Sequence, residues 1–235
     1  MRIRDVLGIS RKRQRQVVRL METSLVGMFF IGLYLGSTGI VVNCAVGLGV
    51  TKLPGLLERD YGIPMDAGLT LWITAAVFLH ALGTIPLPAD VVALVGTVPP
   101  GAERATLYGV GGWWDHLTHA LSASVVAGAG YAAIRALDEH SDAIDVPPRF
   151  TFVFVLLFVL AFGVFWEVIE FTVSELAQVA GVGSALTQYG LEDTMRDLVF
   201  DTVGAVVVAI WGTGHLTGVV DALRRRMDAR ESSGG

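Results

Sequence analysis

Three short stretches carry acids and imidazoles inside otherwise apolar sequence. They are Trp113-Trp114-Asp115-His116-Leu117-Thr118-His119, then Trp166-Glu167-Val168-Ile169-Glu170-Phe171, then Glu192-Asp193-Thr194-Met195-Arg196-Asp197-Leu198-Val199-Phe200-Asp201-Thr202-Val203-Gly204. Their spacing is helical. Asp115 and His119 stand four apart, Glu167 and Glu170 three apart, and Asp193, Asp197 and Asp201 recur every four residues. Residues three or four apart on a helix share a face, so each set is one-sided.

Carboxylates gathered in a low dielectric repel one another. A cation, bound protons or a basic side chain such as Arg196 must compensate. Asp, Glu and His together suit a hard or borderline divalent ion such as Mn, Mg, Ca, Zn or Fe. The candidate ligands are Asp115, His119, Glu167, Asp197 and Asp201. Glu170 and Asp193 are then spare carboxylates that can serve as a general base. The competing reading treats Asp115, Glu170, Glu192 and Asp193 as water-facing interfacial charges, and Trp113, Trp114 and Trp166 as an aromatic belt. His80 reads as a helix-packing histidine, and His116 as facing lipid head groups. His140 and His215 fall in or near inner segments.

The elements that must hold these groups are membrane spans. Of the 235 residues, 53% are hydrophobic and only 17% charged, against roughly 25% charged in an ordinary soluble domain. The mean hydropathy is +0.60. This composition excludes a disordered chain, a nucleic-acid binder and most soluble enzymes. Cys44 is the single cysteine, which rules out an internal disulfide and a cysteine-rich zinc site. A spanning helix needs about 20 mostly apolar residues. Suitable stretches predict six spans near 19–35, 40–57, 69–86, 114–135, 150–173 and 194–216, with Leu35-Gly36-Ser37-Thr38-Gly39 as the turn between the first two. The alternative is five spans, with 19–57 holding one tilted helix and a loop.

Charge placement favours six. Cytoplasmic loops are enriched in Lys and Arg. Arg2, Arg4, Arg11, Lys12, Arg13, Arg15 and Arg19 precede the first span, and Arg224, Arg225, Arg226 and Arg230 follow the last. Both ends therefore belong inside, which requires an even number of spans. The expected fold is all-α, a polytopic transmembrane helical bundle in the cell membrane with both termini in the cytoplasm. It divides into a basic segment 1–18, a membrane domain 19–216 and a basic tail 217–235, whose last residues from Glu231 read as flexible. The apolar run after the basic start is too long for a cleaved secretory signal and reads as a retained anchor. The segment 87–113 reads as an irregular external loop in which Val91 to Val98 could dip into the membrane surface. Successive spans run in opposite directions. The start of the fourth, the end of the fifth and the start of the sixth therefore lie at one depth, in the outer leaflet by the charge argument.

At these same residues the sequence resembles the YjdF-like family of inner-membrane proteins. Asp115-x-x-x-His119, Trp166-Glu167-x-x-Glu170 and Asp193-Thr194-x-x-Asp197 match that family's three motifs in order and spacing, over about residues 70 to 210. The resemblance implies a six-span membrane protein and carries no established activity. A weaker similarity reaches VanZ-like proteins of the cell envelope. Asp197-Leu198-Val199-Phe200-Asp201-Thr202-Val203-Gly204 resembles their D-x-x-x-N-T-x-G helix, with Asp201 in place of Asn.

Three functions compete. The first is a metal-dependent membrane enzyme acting on a lipid or lipid-linked envelope substrate. The second is a cation- or proton-coupled transporter. The third is a structural subunit whose polar cluster fixes helix packing. No nucleophilic Ser or Cys signature accompanies the acids. The D-G-x-x-A-R-type pattern of CDP-alcohol phosphotransferases is absent too. Membrane lipids are the expected partners; the sequence names no protein partner.

Overall fold

The computed structural model describes residues 10–110, 112–186 and 190–234. Arg2 and Arg4 of the basic start lie outside the described residues. Helix α1 runs Arg11–Leu35, so the basic run from Arg11 onward is continuous with the first apolar helix. Ser10 caps α1 by accepting a hydrogen bond from the Arg13 amide, and Gly36 closes it at φ 65°. Ser37 then caps α2, Thr38–Val50. The Gly36-Ser37 turn thus makes two helices of this region.

Pro54 explains the next break. A proline inside a helix loses an amide donor and its ring clashes with the carbonyl four residues back, here that of Val50. Helix α2 ends there, and α3 restarts as Leu53–Tyr61 with Pro54 in its first turn. The single span expected at 40–57 is therefore two helical pieces. Helix α4, Ala67–Gly83, begins where Asp66 Oδ1 accepts the Gly68 and Leu69 amides at 2.8 and 2.9 Å.

The segment expected to be irregular carries a small fold of its own. Strand β1, Leu87–Pro88, pairs antiparallel with β2, Arg104–Ala105, around the short helix α5, Ala89–Val92. Val92 and Val110 are wholly buried against Leu107 and Trp114, while Leu94 is 83% exposed. The indole of Trp113 donates to the Val95 carbonyl at 2.9 Å and ties this arm to the next helix.

Helix α6 spans Trp113–His140 and α7 spans Pro148–Ala180. Helix α8, Leu191–Val207, passes into a π-helical turn over Val208–Gly212 and a 3-10 turn over Thr213–His215. Helix α9, Thr217–Gly234, packs on α6. Its face of Val220, Leu223 and Met227 closes on Ala132 and Ala136, and the helix continues past Glu231, where the sequence reading expects a flexible end. Arg226 also donates to the Tyr61 carbonyl at 2.7 Å and lies over the Tyr61 ring.

The helices form two packed groups. Helices α1, α2 and α4 share a core of Leu25, Met28, Ile40, Cys44, Ala81 and Ile85. Helices α6, α7 and α8 share one of Ala123, Ala127, Val155, Val159, Ala205 and Val208. Contact between α4 and α6 joins the groups, aided by the Trp72 indole donating to Ser124 Oγ at 2.9 Å. The helices Arg11–Leu35, Thr38–Tyr61 (α2 with α3), Trp113–His140 and Pro148–Ala180 are long and apolar enough to cross a membrane; α4 is a shorter apolar helix. The outward face of α7 carries Phe150, Val153, Leu157, Phe162, Phe165 and Val168, all exposed. In water that face would be unstable; in lipid it is solvated. The chain is an all-α, multi-pass membrane protein.

Candidate functional site

A close crossing of α6 and α8 in the second group sets the site. A Cβ at Gly204 of α8 would collide with the backbone carbonyl of Ala120 on α6. Glycine there lets the two backbones approach without a side chain between them. One turn away, a Cβ at Gly163 of α7 would run into the Asp201 carboxylate. These two glycines leave room for acids between three helices.

His119 stands at the centre. Its Nδ1 lies 3.2 Å from Asp201 Oδ1. Its Nε2 faces Asp115 Oδ1 at 3.7 Å and Asp197 Oδ2 at 3.9 Å. One ligand atom each from Asp115, His119 and Asp197 can be chosen so that all lie within 4.8 Å of one another. Asp201 is on the other ring nitrogen. With Nδ1–H donated to Asp201, Nε2 offers its lone pair to the space shared with Asp115 and Asp197. Glu167 joins from α7: its Oε2 accepts the Thr194 hydroxyl of α8 at 2.7 Å.

The burial is deep. Asp197 is 1% exposed, and Asp201, Glu167, His119 and Glu170 are all buried. Asp197 Oδ1 and Glu167 Oε1 have no hydrogen-bond partner. Arg196 does not neutralise them. It pairs with Glu192 on the exposed side of α8. Among the described residues, none of Asp115, Glu167, Glu170, Asp197 and Asp201 forms an ion pair with Lys or Arg. A buried carboxylate oxygen without a donor costs on the order of 1–3 kcal/mol.

Glu170 and Asp193 are placed differently from each other. Glu170 accepts the indole hydrogen of Trp166 at 3.1 Å, and with Asp115 it lines a cavity of about 200 Å³. Asp193 is half-buried one turn before Asp197, near enough to act electrostatically on Asp115 and Asp197. His116 stacks on Phe200 with ring centroids 4.2 Å apart, rather than facing head groups alone.

The cavity brings in residues that spacing could not find. His80 of α4 bonds through Nδ1 to the Tyr108 hydroxyl at 2.8 Å and lines the wall. Its reading as a packing histidine is therefore incomplete. Asn43 of α2 holds the far wall by donating to the Gly39 and Ala185 carbonyls, each at 2.8 Å. These residues come from segments remote in sequence, and no local pattern marks them. The isolated His80 in an otherwise uncharged apolar helix was the one visible signal.

A family model described as predicted membrane protein (DUF2238) matches residues 17–218, most of the chain. The chain belongs to this family. The DUF2238 match covers every residue of the cluster and the cavity wall. An uncharacterised protein of Thermotoga maritima is 33% identical over 97 residues, 41% of this chain. The match spans 46% of that relative's own length. No solved structure matches the chain.

Proposed function

We propose that this DUF2238 protein is a membrane-embedded enzyme that holds one divalent cation on Asp115, His119 and Asp197 and acts on a lipid or lipid-linked head group. The observation that carries the reading is the convergence of those three ligand atoms within 4.8 Å beside buried carboxylate oxygens of Asp197 and Glu167 that lack partners. A divalent ion is what such oxygens need, since its charge offsets both their desolvation and their mutual repulsion. Bound there, it would polarise a phosphoryl or acyl oxygen or acidify a water.

The protein's groups then divide the work. Asp201 fixes the His119 ring through Nδ1, the usual role of a carboxylate behind a ligating imidazole. Glu167 supplies a fourth ligand, a third oxygen, from α7, steadied by Thr194. Asp193 stands at the open end of α8 and takes a proton from the attacking group. Glu170 meets the substrate in the cavity. The reading extends to topology: six spans, both termini inside, the cluster in the outer leaflet, and segments 1–18 and 217–235 on the cytoplasmic side. It also places the chain with YjdF-like proteins, on the order and spacing of the three acidic motifs.

Metal analysis of the full-length protein in mild detergent tests the core of this. After dialysis in trace divalent salts, the wild type retains about one divalent ion per chain, while Glu167→Gln and Asp197→Asn retain less. If the wild type holds none, and both variants melt as the wild type does, the metal reading fails. Turnover of a lipid-linked substrate by the metal-loaded protein tests the enzyme reading.

A further inference from the structure

We infer that the cavity beside the cluster takes the primary ammonium end of a zwitterionic phospholipid head group of the phosphoethanolamine type. The inference rests on the cation reading only for the phosphate half of that head group.

The cavity lies between the α1–α2 turn, α4, the loop around Tyr108 and the segment 184–186, and it closes on Asp115 and Glu170. Its volume is about 200 Å³. At about 30 Å³ per water in the liquid, that is room for roughly half a dozen waters or one small polar group. Among the described residues no Lys or Arg lines it, and two carboxylates do. Several of the polar hydrogens around it are already committed. Asn43 spends its amide hydrogens on two backbone carbonyls. Thr84 donates to the Ala81 carbonyl at 2.7 Å. What remains toward the cavity is the two carboxylates and the neutral hydroxyls of Ser37 and Thr106, which accept backbone amides, so the charge it presents is negative.

Such a wall repels a bare phosphate and wants a donor-rich cation. A primary ammonium carries three donors and no acceptor, and hydrogen bonds from it to carboxylate are of the strong, charge-assisted kind. His80, edge-on to Tyr108, gives the wall an aromatic part. Asp115 belongs to the cavity wall and to the ligand trio at once. A head group with its ammonium against Glu170 therefore has its phosphate next to the cation site. Phosphate and ammonium of one small zwitterion fit two adjoining sites of opposite preference.

The test uses full-length protein in mild detergent with one equivalent of Mn²⁺, titrated separately with phosphoethanolamine and glycerol 3-phosphate. Phosphoethanolamine should bind about tenfold or more tightly, the worth of one charge-assisted contact. Glu170→Gln should erase that preference while Mn²⁺ stoichiometry is unchanged. Thr84→Leu, which fills the cavity without altering charge, should weaken phosphoethanolamine and spare Mn²⁺; it decides the matter if Glu170→Gln does not fold. Equal affinity for the two probes, or a preference that survives both substitutions, overturns the inference. Ethanolamine against glycerol without metal separates the two readings. A retained ethanolamine preference with no Mn²⁺ binding sinks the cation reading alone. Phosphatidylethanolamine nanodiscs should displace the soluble probe where phosphatidylglycerol nanodiscs do not; failure to displace it overturns a lipid source.

Discussion

His119 is the residue on which the site turns, because its two ring nitrogens face different carboxylates. Asp201 on Nδ1 acts through the ring, and Asp115 and Asp197 face Nε2. That difference predicts different losses. Asp201→Asn should weaken Mn²⁺ binding about 10- to 100-fold, the usual effect of removing a group behind a ligand, and leave about one ion per chain at saturation. Asp197→Ala should abolish stoichiometric binding. Titration of Mn²⁺ by calorimetry or electron spin resonance reads both, and equal losses would remove the distinction. At the same scale, Gly163 matters through what it lacks. Gly163→Ala would push on the Asp201 carboxylate, so it should weaken Mn²⁺ without touching a ligand.

Among the elements, the α6–α8 crossing is the one that assembles the cluster. Gly204→Leu places a side chain where the Ala120 carbonyl already sits. Overpacking of this kind costs about 1–3 kcal/mol, and here it also separates His119 from Asp197. The variant should melt lower in detergent and lose Mn²⁺ affinity; unchanged binding would mean the crossing does not set the site. A second element-scale effect concerns α9. His140, beyond the apolar part of α6, lies 2.6 Å from Asp228 and 3.3 Å from Glu231 of α9. Arg135 is engaged by Asp138 and Glu139 instead. The Asp228 hydrogen bond holds the His140 pKa above its ordinary 6.5. A raised folded pKa means stabilisation that is complete below the ordinary value and lost as pH rises through the folded one. Hydrogen exchange across 217–234 should therefore quicken as pH is raised above about 6.5, beyond the intrinsic base-catalysed increase, and His140→Gln should abolish that extra dependence. An identical pH response in the variant would detach α9 docking from His140.

For the whole molecule, the governing fact is where the apolar surface lies. Helix α7 keeps most of its aromatic residues and many branched ones outside, and turns Gly163, Glu167 and Glu170 inward beside Val155 and Val159. That inversion of a soluble core fits lipid outside and a polar interior. The six-span reading with both termini inside, proposed from the basic residues near both ends, is tested at this scale. A reporter fused after Gly235 should be active only on the inner side, and a cysteine introduced at Leu94 should be labelled only from outside. An externally active C-terminal reporter would favour five spans.

The apolar stretches, the Gly36-Ser37 turn and the three one-sided acidic sets could be read from sequence, because each is a local or periodic property. Antiparallel threading even gave the common depth of those sets. Tertiary structure alone decided which oxygens share space. Spacing placed Asp201 with the other acids, whereas packing put it behind the imidazole, because the close contact at Gly204 fixes how α8 is turned against α6. The cavity was likewise out of reach. Its wall joins Asn43, His80, Tyr108 and Ala185, residues far apart in the chain. Their meeting depends on how two helix groups dock, a matter of shape complementarity that no period in the sequence encodes.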